Sequence, residues 1–404
     1  MATPHVLIAG AGLGGLTFAQ ALKKQGISFH VYERDSANSF RAQGYRIRIH
    51  GEGTAALRQC LPEQIWELFE KTCAEAPTSG PMAQVDPTTG EPPVAKPGGR
   101  GPPMFKDPRT VDRRVVREVL QVGIEDKISW GKEIVRYETD NQSSVTIYFK
   151  DGSSEAGTLL VGAEGVHSPT RKQYLPDLLP KDTGTRAFFG KTPLTEQFLS
   201  TYPNHLLKGM GKIRDADTTV PSHSLVEATR FPPKDQRPAH PVLPADYVYW
   251  VSCAQLDKLS QASVNFPPPS NEAAASLWTE LHQHWAPNMR SLFELQDPTQ
   301  TSVLAIRSMD PDIPTWQPSP TVTLLGDAVH VMPPTGASGA VTALRDAALL
   351  SRLIAEKGVS KESIGEYEAQ MRVYAGETIR MSVGAAGMAF GFSDPATWKV
   401  ATDV

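Results

Sequence analysis

The sequence predicts an α/β protein in which a βαβ-based parallel-sheet domain is interrupted by an inserted antiparallel-sheet domain and followed by C-terminal helices. Three observations carry this. Residues 5–9 and 28–33 are short apolar runs flanking a glycine turn and an apolar-periodic segment at 16–25. Two later apolar runs, 158–161 and 321–325, each lead through a glycine and an acid into a helix start. Between them, residues 183–251 form extended segments separated by proline-rich connections, with few helices. Continuous apolar runs suit strands buried on both faces, whereas alternation suits a half-buried sheet.

The opening segment is one βαβ unit. Gly10, Gly12 and Gly15 fill a G-x-G-x-x-G pattern between the first strand and a helix starting near Leu13. One glycine allows the tight turn, one lets the backbone approach a pyrophosphate, and one lets helix and strand pack closely. The free N–H groups and positive dipole end of that helix face the same point. Glu33 closes the second strand at about the 20-residue spacing at which an acid meets a ribose. A glycine turn alone is weak evidence, but strand, turn, helix and acid together point to a Rossmann-like dinucleotide site. They do not separate NAD from FAD. Glu33 disfavours NADP there, because its charge opposes a 2′-phosphate.

The following elements are read in order. Tyr45 to Ile49 alternates, with Tyr45, Ile47 and Ile49 on one face and Arg46 and Arg48 on the other. Residues 54–60 and 62–71 are helical. Residues 77–108 are rich in proline and glycine and are expected to form a hairpin and loop on the first domain. Residues 113–123 are helical, and 127–149 alternate around a turn at Asp140. Ser168 followed by Pro169 is an N-cap and N1 pair. Residues 271–284, 340–356 and 361–383 are helices. The expected division is 1–180 and 301–404 for the dinucleotide-binding domain and its C-terminal helices, and 181–300 for the antiparallel domain.

Composition limits the function classes. Of 404 residues, 40 are basic and 44 acidic, so a net charge of −4 offers no nucleic-acid footprint, and there is no polybasic tract for a membrane surface. No apolar run reaches the ~20 residues of a bilayer span, and the N-terminal strand lacks the charged start of a signal peptide. Cys60, Cys73 and Cys253 form no CxxC pair, and their odd count argues against a disulfide framework. They are expected to be reduced thiols of a cytoplasmic protein, with no metal site.

At this point the chain resembles the single-component, class A FAD-dependent monooxygenases of the p-hydroxybenzoate hydroxylase type. The resemblance covers nearly the whole chain in order. It rests on Gly10, Gly12, Gly15 and Glu33; on Arg113 with Val116 and Leu120 in an R-x-x-L-x-x-x-L-like helix; on the D-G-like segment Gly162 to Arg171; and on the G-D segment with Gly326, Asp327, His330, Pro333, Gly336, Gly339, Asp346 and Ala347. It implies FAD as cofactor and NADPH or NADH as a transient co-substrate, because only one dinucleotide fingerprint is present. The implied reaction hydroxylates or epoxidises a small aromatic or unsaturated substrate with O2 through a C4a-hydroperoxyflavin. Baeyer–Villiger oxygenation, an FAD oxidase or dehydrogenase, and a protein using FAD only structurally remain alternatives.

The cofactor candidates are Gly10, Gly12, Gly15, Glu33, Arg34, Arg41, Gly44, Arg113, Asp327, Gly339 and Ala340. Asp327 could accept hydrogen bonds from ribityl hydroxyls. The N–H groups near Gly339 and Ala340 could face the pyrimidine end of the flavin and stabilise charge on it. Arg186, His223 and Tyr249 are catalytic candidates, and Arg46, Arg48, Glu227 and Tyr247 are substrate-binding candidates; for each, sheet packing or a solvated face is the bland alternative. His330 is expected to be structural. Two departures from the family pattern stand out. Glu164 replaces an aspartate and is expected to push its carboxylate outward. Val341 replaces an asparagine and removes a polar contact.

Overall fold

The computed structural model describes residues 4–37, 45–75, 83–91, 105–140, 142–216, 218–262 and 266–402. Its centre is a five-stranded, all-parallel sheet in the order Val322–Leu324, Leu159–Gly162, His5–Ala9, Ser28–Glu33, Ile128–Trp130. Alternate residues of the central strand serve two layers, which explains its unbroken apolar run. Val6 and Ile8 join the core formed with the helices Leu13–Gln25, Arg113–Gln121 and Ser338–Lys357. Leu7 and Ala9 pack with Tyr137, Val145 and Ile147 of a three-stranded antiparallel sheet, Ile134–Thr139, Val145–Phe149 and Ser154–Gly157. Ala9 pairs with Gly162, and Gly162 pairs with Leu324. The register therefore brings the three glycine-containing segments to one edge.

A second sheet runs Ser302–Ser308, Lys181–Pro193, Tyr247–Gln255, Ser222–Thr229, Met210–Asp215, Ala83–Val85, with Lys399–Val400 added beside Lys181–Pro193. One face carries Phe188, Val226 and Trp250 against Trp278 and Phe293 of the helices Asn271–Leu281 and Pro287–Glu294. Phe188 and Trp278 stack with ring centroids 4.0 Å apart. The alternate face, with Phe189, Tyr249 and Val251, turns towards the ends of the parallel strands.

This sheet draws on more chain than 181–300. Ser302–Ser308 and Lys399–Val400 pair with Lys181–Pro193. Ala83–Val85 joins as a parallel edge strand beside Met210–Asp215, rather than forming a hairpin on the first domain, because Val85 is buried in the same core as Phe188 and Trp250. The last helix is also longer than its periodicity suggested, Lys361–Phe390, since Ala386 and Phe390 remain buried beyond residue 383. Among the described residues, no helix is long and apolar enough to cross a membrane.

One buried ionic cluster joins the two sheets. Asp112 caps the helix Arg113–Gln121 by accepting from the N–H groups of Arg114 and Val115. Its other oxygen accepts from Lys191 Nζ at 2.6 Å and Tyr247 Oη at 2.9 Å, both on the second sheet. A buried carboxylate is costly unless paired, and here the pairing ties the helix carrying Arg113 to the antiparallel sheet.

Candidate active site

A cleft of about 930 Å³ lies at the carboxyl ends of the parallel strands, where open α/β sheets take ligands. Its floor is the glycine turn. Gly10 has φ +106°, and a Cβ there would lie 2.5 Å from the Ala163 carbonyl oxygen. A Cβ on Gly15 would lie 2.2 Å from the Gly10 oxygen, so close packing requires a glycine there. At Gly12 a Cβ would meet nothing within 4 Å. Protein packing does not require that glycine, and it leaves the N-terminus of Leu13–Gln25 bare, with no side-chain cap. This open cradle suits a close-lying phosphate group.

Glu33 is fixed at the same edge. Its Oε2 accepts from Ala11 N–H at 2.8 Å and its Oε1 from Asp35 N–H at 3.0 Å. Arg117 lies 3.6 Å from Oε2, donates to the Ala11 carbonyl at 2.8 Å, and covers the Trp130 ring. A carboxylate offers about four acceptor sites, so Glu33 retains capacity for a diol. Arg34 lines the cleft near Asp35. Arg41 and Gly44 lie outside the described residues.

A second cavity, about 510 Å³, adjoins the first, and Gly12, Tyr45, Arg113, Phe189, Asp327 and Met332 line both. Tyr45 stacks on Phe189 at 4.8 Å, and Arg113 covers the Tyr45 ring. Asp327 follows the strand Val322–Leu324 after Gly326, whose φ is +64°. Its side chain is exposed to the cavity, though protein atoms crowd around it. Burial raises its pKa, while His330 and Arg113 oppose the rise. Beside it begins the helix Ser338–Lys357, again without a side-chain cap. A Cβ on Gly339 would sit 3.7 Å from Asp327 Oδ1, so the helix start and the carboxylate face one space.

Asp346 holds this corner together. It accepts from Gly326 N–H at 2.8 Å, shares a 2.6 Å bond with His330 Nε2, and accepts from Tyr374 Oη at 2.6 Å. Burial lowers the His330 pKa, but Asp346 and Asp327 outweigh it and the net shift is upward. His330 is thus a buried partner of Asp346, in line with its expected structural place.

The substrate and catalytic candidates separate clearly. Arg46, Arg48 and Tyr249 line the second cavity. Glu227 sits beneath them, 1% exposed, paired with both arginines. Three expectations need correction. Tyr247 lines neither cavity, because its hydroxyl is taken by Asp112. Arg186 is on the opposite face of the sheet, opposite Ala254, and makes a two-pronged pair with Asp182 at 2.9 Å. His223 shares the face of Glu227 but is covered at Gly391, just past the last helix. Residues that line the second cavity but escaped the sequence reading include Phe105, Phe189, Met210, Leu225, Val251 and Phe390. The period-two alternation of the strands was the available signal for four of them.

Comparison with known proteins follows this geometry. Residues 8–71 match the NAD(P)-binding Rossmann-like domain model, and residues 250–381 match an FAD binding domain model. A crystal structure from Photorhabdus luminescens subsp. laumondii, described as a candidate FAD-containing monooxygenase, is 32% identical and aligns over 96% of this chain and 98% of its own, with a TM-score of 0.76. The chain belongs to the FAD-dependent monooxygenases. Klebsiella pneumoniae HpxO, solved with FAD and uric acid, shares the fold at 22% identity and TM-score 0.71, over 96% of this chain and 88% of its own. A dual O-methyltransferase/FAD-dependent monooxygenase, CTB3 of Cercospora beticola, is 40% identical over 95% of this chain. The chain spans under half the length of such dual-function relatives, 46% in that case.

Within this family the two departures take a definite form. The Glu164 carboxylate does not swing outward. It folds back onto its own loop, accepting from Ser168 Oγ at 2.6 Å and from the Thr170 hydroxyl. Burial still raises its pKa, against the pull of those two hydroxyls. Val341 packs against Gly53 of the helix Glu52–Cys60, where a Cβ would come within 3.0 Å of it, so an apolar helix contact stands at the position of the family's asparagine.

Proposed function

We propose that this chain is an FAD-dependent monooxygenase that uses NAD(P)H and O2 to hydroxylate or epoxidise a small aromatic or unsaturated substrate. The observation that carries the reading is the junction of the two cavities at Gly12, Arg113 and Asp327. It gives one extended ligand a polar end and an apolar end. We assign cofactor binding to residues 1–180 and 301–404, and substrate contacts chiefly to the inserted sheet.

In this reading Glu33 accepts the adenosine ribose hydroxyls and Arg117 steadies Glu33. The bare N-terminus of Leu13–Gln25 and Arg113 take the pyrophosphate. Asp327 accepts from the ribityl chain, and the start of Ser338–Lys357 at Gly339 and Ala340 faces the flavin ring. Bound FAD supplies electron transfer from NAD(P)H and activation of O2. The protein supplies the rest. Phe189, Met210, Leu225 and Val251 exclude water from the chamber. Arg46 and Arg48 orient the substrate. Burial raises the Tyr249 pKa, with Arg46 only partly opposing it. Its hydroxyl therefore stays protonated and donates a hydrogen bond to substrate oxygen rather than acting as a base.

The dual-function relatives join an O-methyltransferase to a monooxygenase. A phenol or its methyl ether is the substrate class those two chemistries share, and we assign that class here. We place the chain in the cytoplasm, where its three cysteines would stay as free thiols.

The test is NADPH and NADH oxidation by the FAD-loaded protein with a panel of phenols, naphthols and their methyl ethers under ¹⁸O₂. Substrate-dependent oxidation with ¹⁸O in the product is expected. Peroxide formed in place of labelled product would make the chain an oxidase.

A further inference from the structure

Arg46 and Arg48 stand two residues apart on the strand Arg46–Ile49, so both side chains leave the same face, while Ile47 and Ile49 enter the core beneath the parallel sheet. Both line the apolar chamber. Their side chains are 10% and 8% exposed. The Arg46 guanidinium lies 4.9 Å from the Tyr249 ring centroid, and that of Arg48 lies 5.3 Å from the Phe105 centroid. Glu227, opposite Tyr249 in the sheet register, pairs with one arginine through each carboxylate oxygen.

Two guanidinium groups thus share one carboxylate. Other acids nearby are already committed. Asp112 is taken by Lys191 and Tyr247. Asp327, which also lines the chamber, lies in the field of Arg113 and His330. The cluster therefore carries one uncompensated positive charge in an apolar enclosure. It is also short of acceptors, since Arg46 Nε and Arg48 Nε are buried without a hydrogen-bond partner. Such a charge is expensive to keep. Burial and the adjacent Arg46 charge together push the Arg48 pKa down to about 9, a cost that a ligand anion would relieve.

Resting on the reading that this chamber receives the substrate, we propose that the Arg46–Glu227–Arg48 cluster selects an aromatic anion, a ring bearing a carboxylate or phenolate, over its neutral counterpart. Glu227 sets the strength of that selection by cancelling one of the two charges. A planar guanidinium pair matches a planar, delocalised anion, and the surrounding rings accept its flat body. The cluster also pins the Arg46–Ile49 strand to the second sheet, but pinning alone gives no preference for ligand charge.

The test uses FAD-loaded protein and two ligand pairs, 3-hydroxy-2-naphthoate with its methyl ester and 2-hydroxybenzoate with its methyl ester. Binding is read by calorimetry and by perturbation of the flavin spectrum. The acids are expected to bind at least about tenfold tighter than the esters, the scale of one partly buried charge pair. Arg48→Gln should abolish the preference by weakening the acids far more than the esters. Glu227→Gln should tighten acid binding severalfold, whereas a cluster that only braces the fold would weaken every ligand. Equal affinity within both pairs, failure of both acids to bind, or weaker acid binding in Glu227→Gln overturns the proposal. Should Glu227→Gln fail to fold, the wild-type pairs and Arg48→Gln still decide. Protein that takes up no FAD removes the monooxygenase reading instead, and the calorimetric comparison of acid and ester still judges this one.

Discussion

The two cavities recognise their contents by different means. The cleft at Gly10 to Gly15 and Glu33 uses main-chain N–H groups, one helix start and a carboxylate, nearly all from one βαβ segment. The chamber beside it is walled by side chains from the strand Arg46–Ile49, the second sheet and the last helix: Arg46, Phe189, Met210, Leu225, Tyr249 and Phe390. Local backbone geometry shapes the first, and long-range strand pairing shapes the second. Side chains of the chamber can therefore be exchanged without disturbing the glycine turn or Glu33. The shared corner, where Arg113 and Asp327 carry the charge, is answerable to both.

The largest effect should come from the brace behind that corner. Asp346→Ala strips His330, Gly326 N–H and Tyr374 of a common buried acceptor and should cost about 3–5 kcal/mol in denaturant unfolding. The His330 pKa is raised in the fold. Its contribution is therefore full below the unfolded value of about 6.5 and is lost as pH rises through the folded one. The stability difference between wild type and variant should narrow over that upper range. Next, Asp327→Ala should weaken FAD binding by about 1.5–3 kcal/mol and disturb ligands of the chamber as well, because it faces both. If FAD titration is unaffected, the corner is not shared. Arg117→Ala should weaken FAD binding by about 1 kcal/mol and leave naphthoate binding alone; altered naphthoate affinity would blur the division between cavities. Smallest is Tyr247→Phe, which removes one bond to Asp112 and should lower stability by about 1 kcal/mol. Substrate KM should not move, since that hydroxyl points to Asp112 and not into the chamber.

The same division explains what could be read from the residues alone. Within the cleft, the glycine turn and Glu33 come from one contiguous segment, so Gly10, Gly12, Gly15 and Glu33 carry their geometry in their spacing, whereas other lining residues such as Glu164 and Arg307 are distant in sequence. The three strand ends were readable for a similar reason, as each pairs an apolar run with a glycine. The chamber was not readable to that depth. Alternation shows that Arg186 and Tyr247 lie in strands, but not which face meets the cavity nor how far along the strand the cavity reaches. That depends on the pairing of Ala254 with Arg186 and of Tyr249 with Lys191. Nothing in the spacing of Arg117 points to Glu33, and only the packing of its helix against Leu13–Gln25 brings the two together. Ala83–Val85 lies in a proline-rich stretch with no local sign that its partner is Met210–Asp215.

The central claim is that one FAD spans both cavities. A crystal structure of the FAD-loaded protein tests it most directly. The account predicts the adenosine ribose within hydrogen-bonding distance of Glu33 and the flavin ring beside Gly339 and Ala340. A nicotinamide dinucleotide lying in the cleft, with no flavin ring at Gly339, would contradict it.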